Sequence, residues 1–389
     1  MDDSLLPSLM DEGAELCVVS SSHPLKGAPK VYWNRNGKLQ DITAAICPED
    51  TGLVLRPELM QGLPSSLADA LLQPAASAAV NTLNGTLAAS RAFLRTLRAQ
   101  NAAPQMARDG RLLHADAANG RLWVAGMGAW ERVGSDAVSQ GYRYSGGGYA
   151  VGGEMACAPH LCVGAALGQM LGHYHAPRGL MHDSQSLWEA GLNLRYSRAV
   201  RQGRDVFRAE FCGVGGLARN RARGAFFAGG DAATGRWTDK VFGGAVQLSY
   251  DIGLTEHMSL TPSVGIEAHA AQQGHVAMSD GERALHYSRG RASLWTLPLG
   301  LSWQTALPVA KSQYLVPRLS VAYLRDLDRR APRAFTAWAG GSSRARGAKP
   351  GRDGVEAEAA VKAAYEMDGP VYLRFGRLAV PAFHKDGSH

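Results

Sequence analysis

Two histidines, two cysteines and three arginines are the residues of this 389-residue chain whose spacing could support chemistry. His173 and His175 stand two apart on a strand-like run, which puts both rings on one face, a spacing a metal ion can use. Polar side chains at the end of a strand take the same places without a metal, so the pair alone carries no functional claim. Cys157 and Cys162 bracket Ala158-Pro159-His160 between two strand-like runs, and a disulfide across a hairpin end is sterically open there. The rivals are a metal centre, for which Cys-x4-Cys with one nearby His lacks a second ligand pair, and two small apolar residues with no bond. Cys17, Cys47 and Cys212 follow no pattern. A serine hydrolase needs its nucleophile on a strained elbow, and no Gly-x-Ser-x-Gly occurs. Asp183, Asp231, Asp280 and His286 fall in loop-like segments and keep a Ser-His-Asp site only as a weak rival.

Arg91, Arg95 and Arg98 form a different pattern. They recur at i, i+4 and i+7 in a segment from 75 to 99 that has no Pro, one Gly and many Ala and Leu, so they form a basic stripe on a helix. A helix of that length spans roughly 37 Å, enough to thread a bilayer-sized barrel. Read alone, an amphipathic surface helix explains it as well.

The elements that would position these residues change period after residue 110. At 187–197, Trp188, Ala190, Leu192, Leu194 and Tyr196 alternate with Glu189, Gly191, Asn193 and Arg195. The same alternation returns at 258–269, 295–304 and 355–366. These runs exceed the ~5–6 residues usual in soluble sheets and match the ~10-residue strands of a membrane barrel. Trp188 and Tyr196, like Trp295 and Trp303, lie eight residues apart on one face, about the spacing of two interfacial girdles on tilted strands. The 46 Gly suit a closely packed barrel wall. The net charge of +7 is scattered rather than gathered on one element, which argues against a nucleic-acid partner. No apolar run approaches the ~20 residues of a spanning helix, and no signal peptide opens the chain, so a fragment of a longer secreted precursor is expected. Residues 1–73 read as a mixed leader with an Asn-Gly hairpin around Asn36-Gly37.

Several stretches carry a family resemblance. Ala78-Ala79-Val80-Asn81-Thr82-Leu83 looks like the segment preceding the barrel of bacterial autotransporter (type V secretion) translocators. Arg121-Leu122-Trp123-Val124-Ala125-Gly126 resembles their first strand, the Gly-rich run from Tyr142 to Gly153 their second, 164–168 their third and 315–323 their ninth. The resemblance covers roughly 75–380. It implies an all-β, twelve-stranded transmembrane antiparallel barrel with an N-terminal helix in its pore. The expected layout is a passenger remnant and connector at 1–73, a pore-threading helix at 74–100, the barrel at 110–380 and a disordered tail at 381–389. It implies an outer-membrane translocator and anchor that exports or displays an N-terminal passenger without catalysis or cofactor. Its partners would be outer-membrane lipid, the barrel-assembly machinery and its own passenger segment.

On that reading Glu189, Arg195, Glu210, Glu267, Glu356, Glu358 and Lys362 face the lumen, and the Arg stripe meets its carboxylates, with Arg195, Arg208, Arg318 and Lys362 as competing partners. Some family members cut themselves at an Asn of the pore helix, whose side chain attacks its own backbone. Asn81 falls at that place and Asn84 one turn later, but the cleaving branch has two adjacent Asn, whereas Thr82 follows Asn81 here. Counted from residue 121, strand parity puts the connections at 218–236, 270–290 and 324–352 on the exterior side. It makes 370–380 an eleventh strand, so the twelfth is expected to be missing or replaced. A rival count takes 334–339 as a further strand. Three other functions stay open on the residues: a diffusion channel, a barrel-type outer-membrane hydrolase and a soluble all-β binding module.

Overall fold

The computed structural model describes residues 16–20, 32–35, 38–41, 46–49, 52–55, 65–101, 105–106 and 112–113. It also describes 121–380 apart from 136–138, 201–204, 225–231, 256, 280–283, 311–312, 339–340, 352 and 366–371. The anticipated tail, 381–389, lies outside the described residues.

In the leader, β1 (Leu16–Ser20), β4 (Ile46–Glu49) and β5 (Gly52–Leu55) form a small antiparallel sheet. β2 (Tyr32–Arg35) and β3 (Lys38–Asp41) pair Arg35 with Lys38, as a hairpin with Asn36-Gly37 at its tip requires. The helix α1 runs Ser65–Asn101, beginning nine residues before the expected start at Pro74. Pro74 removes one backbone bond from the helix but does not end it. β6 (Gln105–Met106) and β7 (Leu112–Leu113) make a short ladder before the wall begins at 121 rather than at 110.

The wall strands are β8 (Arg121–Val133), β9 (Tyr142–Ala158), β10 (Leu161–His175), β11 (His182–Val200), β12 (Asp205–Gly224), β13 (Ala233–Gly253) and β14 (Met258–Gln272). After the short β15 (Val276–Ser279) come β16 (Ala284–Thr305), β17 (Leu307–Ala310), β18 (Gln313–Trp338), β19 (Gly341–Arg346), β20 (Asp353–Tyr365) and β21 (Tyr372–Val380). Each long strand pairs antiparallel with the next, which satisfies the backbone polar groups from strand to strand. β15, β17 and β19 are short extensions of this path.

The main path therefore has eleven strands among the described residues, and β18 is its ninth, where the resemblance places 315–323. Residues 334–338 are the upper end of β18 rather than a separate strand, so the rival count is not followed. The sheet curls until β21 lies alongside β8, yet no hydrogen-bonded ladder joins them among the described residues.

Long connections gather at one end of the wall, here the loop rim, and tight turns such as 159–160 and 254–257 at the other, the turn rim. The alternation of β11 settles which face is which. Trp188, Leu192, Leu194 and Tyr196 are exposed, while Glu189, Asn193 and Arg195 are buried. β14 and β16 repeat this with Val264, Ile266, Trp295, Leu299 and Leu301 outward. An apolar exterior around a polar interior is the inverse of a soluble barrel. No described helix is long and apolar enough to cross a membrane, which says nothing about strands.

Candidate functional site: the helix-filled lumen

The sheet encloses α1. Val80, Leu83, Phe93, Leu94 and Leu97 are fully buried, and so are Ser77, Asn81, Thr86, Ser90 and Thr96 on its other faces. A helix polar on one side and apolar on the other, yet buried all round, needs a matching partner for every face. The wall supplies them.

The apolar face fits because opposing wall positions lack side chains. A Cβ on Gly168 would come to 2.5 Å from Phe93, and one on Gly191 to 2.9 Å from Leu97. These two glycines form the hollow that seats the helix's largest side chain.

The polar face is matched group by group. Ser90 donates to Glu189 at 2.6 Å. Gln185 donates to Thr86 at 2.8 Å and to Asn220 at 3.0 Å, and Asn220 donates to Asp239 at 2.8 Å. Deeper in the pore the Arg stripe meets carboxylates, as expected. Arg95 lies 2.8 Å from Glu356 and 3.5 Å from Glu267, and Arg98 is paired with Glu267. Arg91 finds Thr296 at 3.4 Å and Asp326 at 4.0 Å. The competing wall cations have wall partners of their own: Arg195 sits 3.3 Å from Glu154 and Arg208 2.6 Å from Asp251. Each of these buried charges has an opposite charge within 4.0 Å, without which burial would be strongly unfavourable. Beyond Arg98 a polar cavity of about 110 Å3 remains, bordered by Glu210, Glu267, Ser302 and Arg318.

At the loop rim the upper part of α1 is pinned by Asn81, whose amide donates to Gln140 O at 2.7 Å and accepts from the Ala348 amide at 2.6 Å. Asn84 donates to Ala348 O at 3.1 Å. Both ends of the Asn81 amide thus hold loop backbone, so the nitrogen that self-cleavage would use is engaged elsewhere. Close by, Arg329 of β18 bridges to Glu131 of β8 at 2.9 Å, and Tyr142 donates to the same carboxylate at 2.8 Å. This cluster ties the first wall strand, β8, to the upper end of the ninth, β18, by side chains at the loop rim.

The other candidates do not assemble. Cys157 and Cys162 are not joined by a disulfide: Cys157 is exposed and donates to Leu161 O at 3.4 Å, whereas Cys162 is buried. Of the alternatives left open, the unbonded pair is the one found, and a bulge between Leu161 and Cys162 accompanies side chains turned to opposite faces. Glu210 is buried on the lumen side, accepts from Cys212 at 3.4 Å and borders the same cavity as Arg95 and Arg98. The side chains of Glu358 and Lys362 lie outside the described residues. Asp183 is buried in the lumen while His286 is exposed and stacks on His275, so no triad forms from them; Asp231 and Asp280 lie outside the described residues. His173 and His175 point outward, and His175 approaches His182 at 2.7 Å. No cluster of three metal-ligating side chains occurs among the described residues.

Sequence reasoning missed Thr86, Ser90, Phe93, Asp239, Asp326 and the Glu131–Arg329 bridge. The inward parity of Asp239 and Asp326 was available as a signal, but their partners lie across the pore.

The sequence profile described as Autotransporter beta-domain matches residues 122–375. Among solved structures, the chain is similar to the translocator domain of autotransporter NalP from Neisseria meningitidis. That likeness has 13% identity and a TM-score of 0.46, over 73% of this chain and 92% of that one. No curated protein matches. A profile match over most of the curled wall, from its first strand into its last, places the chain in the autotransporter β-domain family.

Proposed function

We propose that this outer-membrane translocator domain anchors in the membrane and exports or displays an N-terminal passenger, with α1 as the last threaded segment and with no catalysis of its own. The observation that supports this best is the seated helix. Its upper part is held by loop-rim backbone, its Arg stripe is neutralised deep in the pore, and β8 begins at the turn rim. Sequence preceding α1 would then leave through the loop rim, which faces the cell exterior, as long loops of such barrels do. Outer-membrane lipid and the barrel-assembly machinery are the partners this reading requires.

A diffusion channel would have an open lumen, and a plugged one conducts poorly. Planar-bilayer recording of the refolded chain should give a low conductance that rises several-fold when 65–101 is deleted. Equal conductance of the two forms, together with protease-accessible α1 in the full chain, would remove the basis for the proposal.

A further inference from the structure

The outward face of β8–β13 has a feature that the helix-filled lumen does not use. At the loop rim the strand register sets Arg132 opposite Arg143, Arg143 opposite His175, His175 opposite His182, and His182 opposite Arg223. One step toward the turn rim, Arg221 stands opposite Arg236. Like charges directly across a ladder repel. No carboxylate of strands β8–β13 relieves them on this face: the seven Asp and Glu of β9–β13 are all buried on the lumen side, and Glu131 of β8 turns in to Arg329. Arg219, Arg221, Arg223, Arg236 and Lys240 are exposed and outward.

Below this basic rim the same face holds an apolar hollow of about 1380 Å3, walled by Leu122, Leu167, Leu192, Phe211 and Phe242. Its floor includes Gly126, Gly213 and Gly215. A Cβ at Gly213 would meet nothing within 4 Å, so packing inside the protein does not demand glycine there. The missing side chains leave room for something outside the wall. Arg219 lies four residues beyond Gly215 on β12, roughly 13 Å along the strand. Exposed Trp188 stands between the two levels, where an aromatic ring suits a membrane–water interface.

We propose that this face binds a phosphate-bearing lipid of the surrounding leaflet, with its acyl chains in the hollow and its phosphates against the arginines. The inference rests on the membrane-spanning reading above. Guanidinium groups pair with phosphate in a forked geometry, and a lipid anion seated between β12 and β13 relieves the Arg221–Arg236 repulsion.

The test uses the full chain refolded into phosphatidylcholine bilayers doped with phosphatidic acid or with diacylglycerol of the same acyl chains. Lipid carried with the protein is counted by native mass spectrometry. Phosphatidic acid should be retained over diacylglycerol by about tenfold or more, a preference lost in R219S/R221S/R223S and restored by lysines at those positions. G213L, which fills the hollow, should lower retention of both lipids. Equal retention of the two lipids would overturn the proposal, as would an unchanged preference in the triple serine variant, or a lipid-free dimer covering the face. Protease protection of α1 and heat-modifiable migration, read on the same samples, separate the two failures. Protein that does not insert counts against the membrane reading, whereas inserted protein without lipid preference counts against this site alone.

Discussion

Replacing Glu267 with Gln removes a charge while keeping the side chain's shape, at the point where the helix is held most firmly. The Glu267 side chain is 2% exposed and serves both Arg95, at 3.5 Å, and Arg98. One charge pair at 3.5 Å is worth roughly 5 kcal/mol at an effective dielectric of about 20, before desolvation is subtracted. Two features lower the figure: Arg95 keeps Glu356 at 2.8 Å, and the Arg95 and Arg98 side chains retain 16% and 12% exposure. Breaking a buried pair by removing one member costs about 3–5 kcal/mol, and the retained partner places E267Q near the lower end. A loss of about 3 kcal/mol corresponds to a shift of roughly 150-fold between seated and unseated helix. Trypsin digestion of the refolded protein reads this directly, because Arg91, Arg95 and Arg98 are all cleavage sites within the protected segment. The reasoning is refuted if E267Q is cleaved in α1 no faster than the parent chain while the wall stays folded by heat-modifiable migration.

Three further outcomes are expected. G168V should push Phe93 out of its seat at a cost of about 1–3 kcal/mol, seen as faster proteolysis of α1, and F93A in the same chain should restore part of the protection. N81A should release the Ala348 amide, raising its hydrogen-exchange rate by an amount set by about 1–3 kcal/mol of lost buried bonding, with Asn84 still attached. In a C17S/C47S background on intact cells, a membrane-impermeant thiol reagent should leave exposed Cys157 unmodified until the outer membrane is permeabilised, because its turn lies at the opposite rim from the long loops. Labelling before permeabilisation would invert the assigned orientation.

The wall was legible because a period of two needs only neighbours in sequence. Trp188 to Tyr196, Met258 to Ile266 and Trp295 to Trp303 name their outward faces without any knowledge of what they pair with. The helix and its Arg stripe were legible for the same reason. The seat was not. That Phe93 needs Gly168 and Gly191 follows only from the angle at which α1 lies in the pore. Likewise, Asp326 serving Arg91, or Glu131 serving Arg329, depends on which walls face each other across the lumen. The sequence left the Cys157–Cys162 pair open because two cysteines around a turn are close in sequence, while a bulge decides whether they share a face. The helix starts before Pro74 because a proline, although it favours a helix's first turn, also sits inside helices that are held by their surroundings.

The eleven main-path strands among the described residues have a directional consequence. Along a path in which each strand reverses the last, the first and the eleventh point the same way, so β8 and β21 both run toward the loop rim. Direct union of these borders would make one parallel seam in an otherwise antiparallel cylinder, with slanted bonds and a register free of any hairpin to set it. A single strand running toward the turn rim, whatever its source, would instead be antiparallel to both borders and complete the alternation. The seam is thus polarised: a single strand closing it antiparallel would have to run in one orientation, with the Glu131–Arg329 bridge at its loop-rim end.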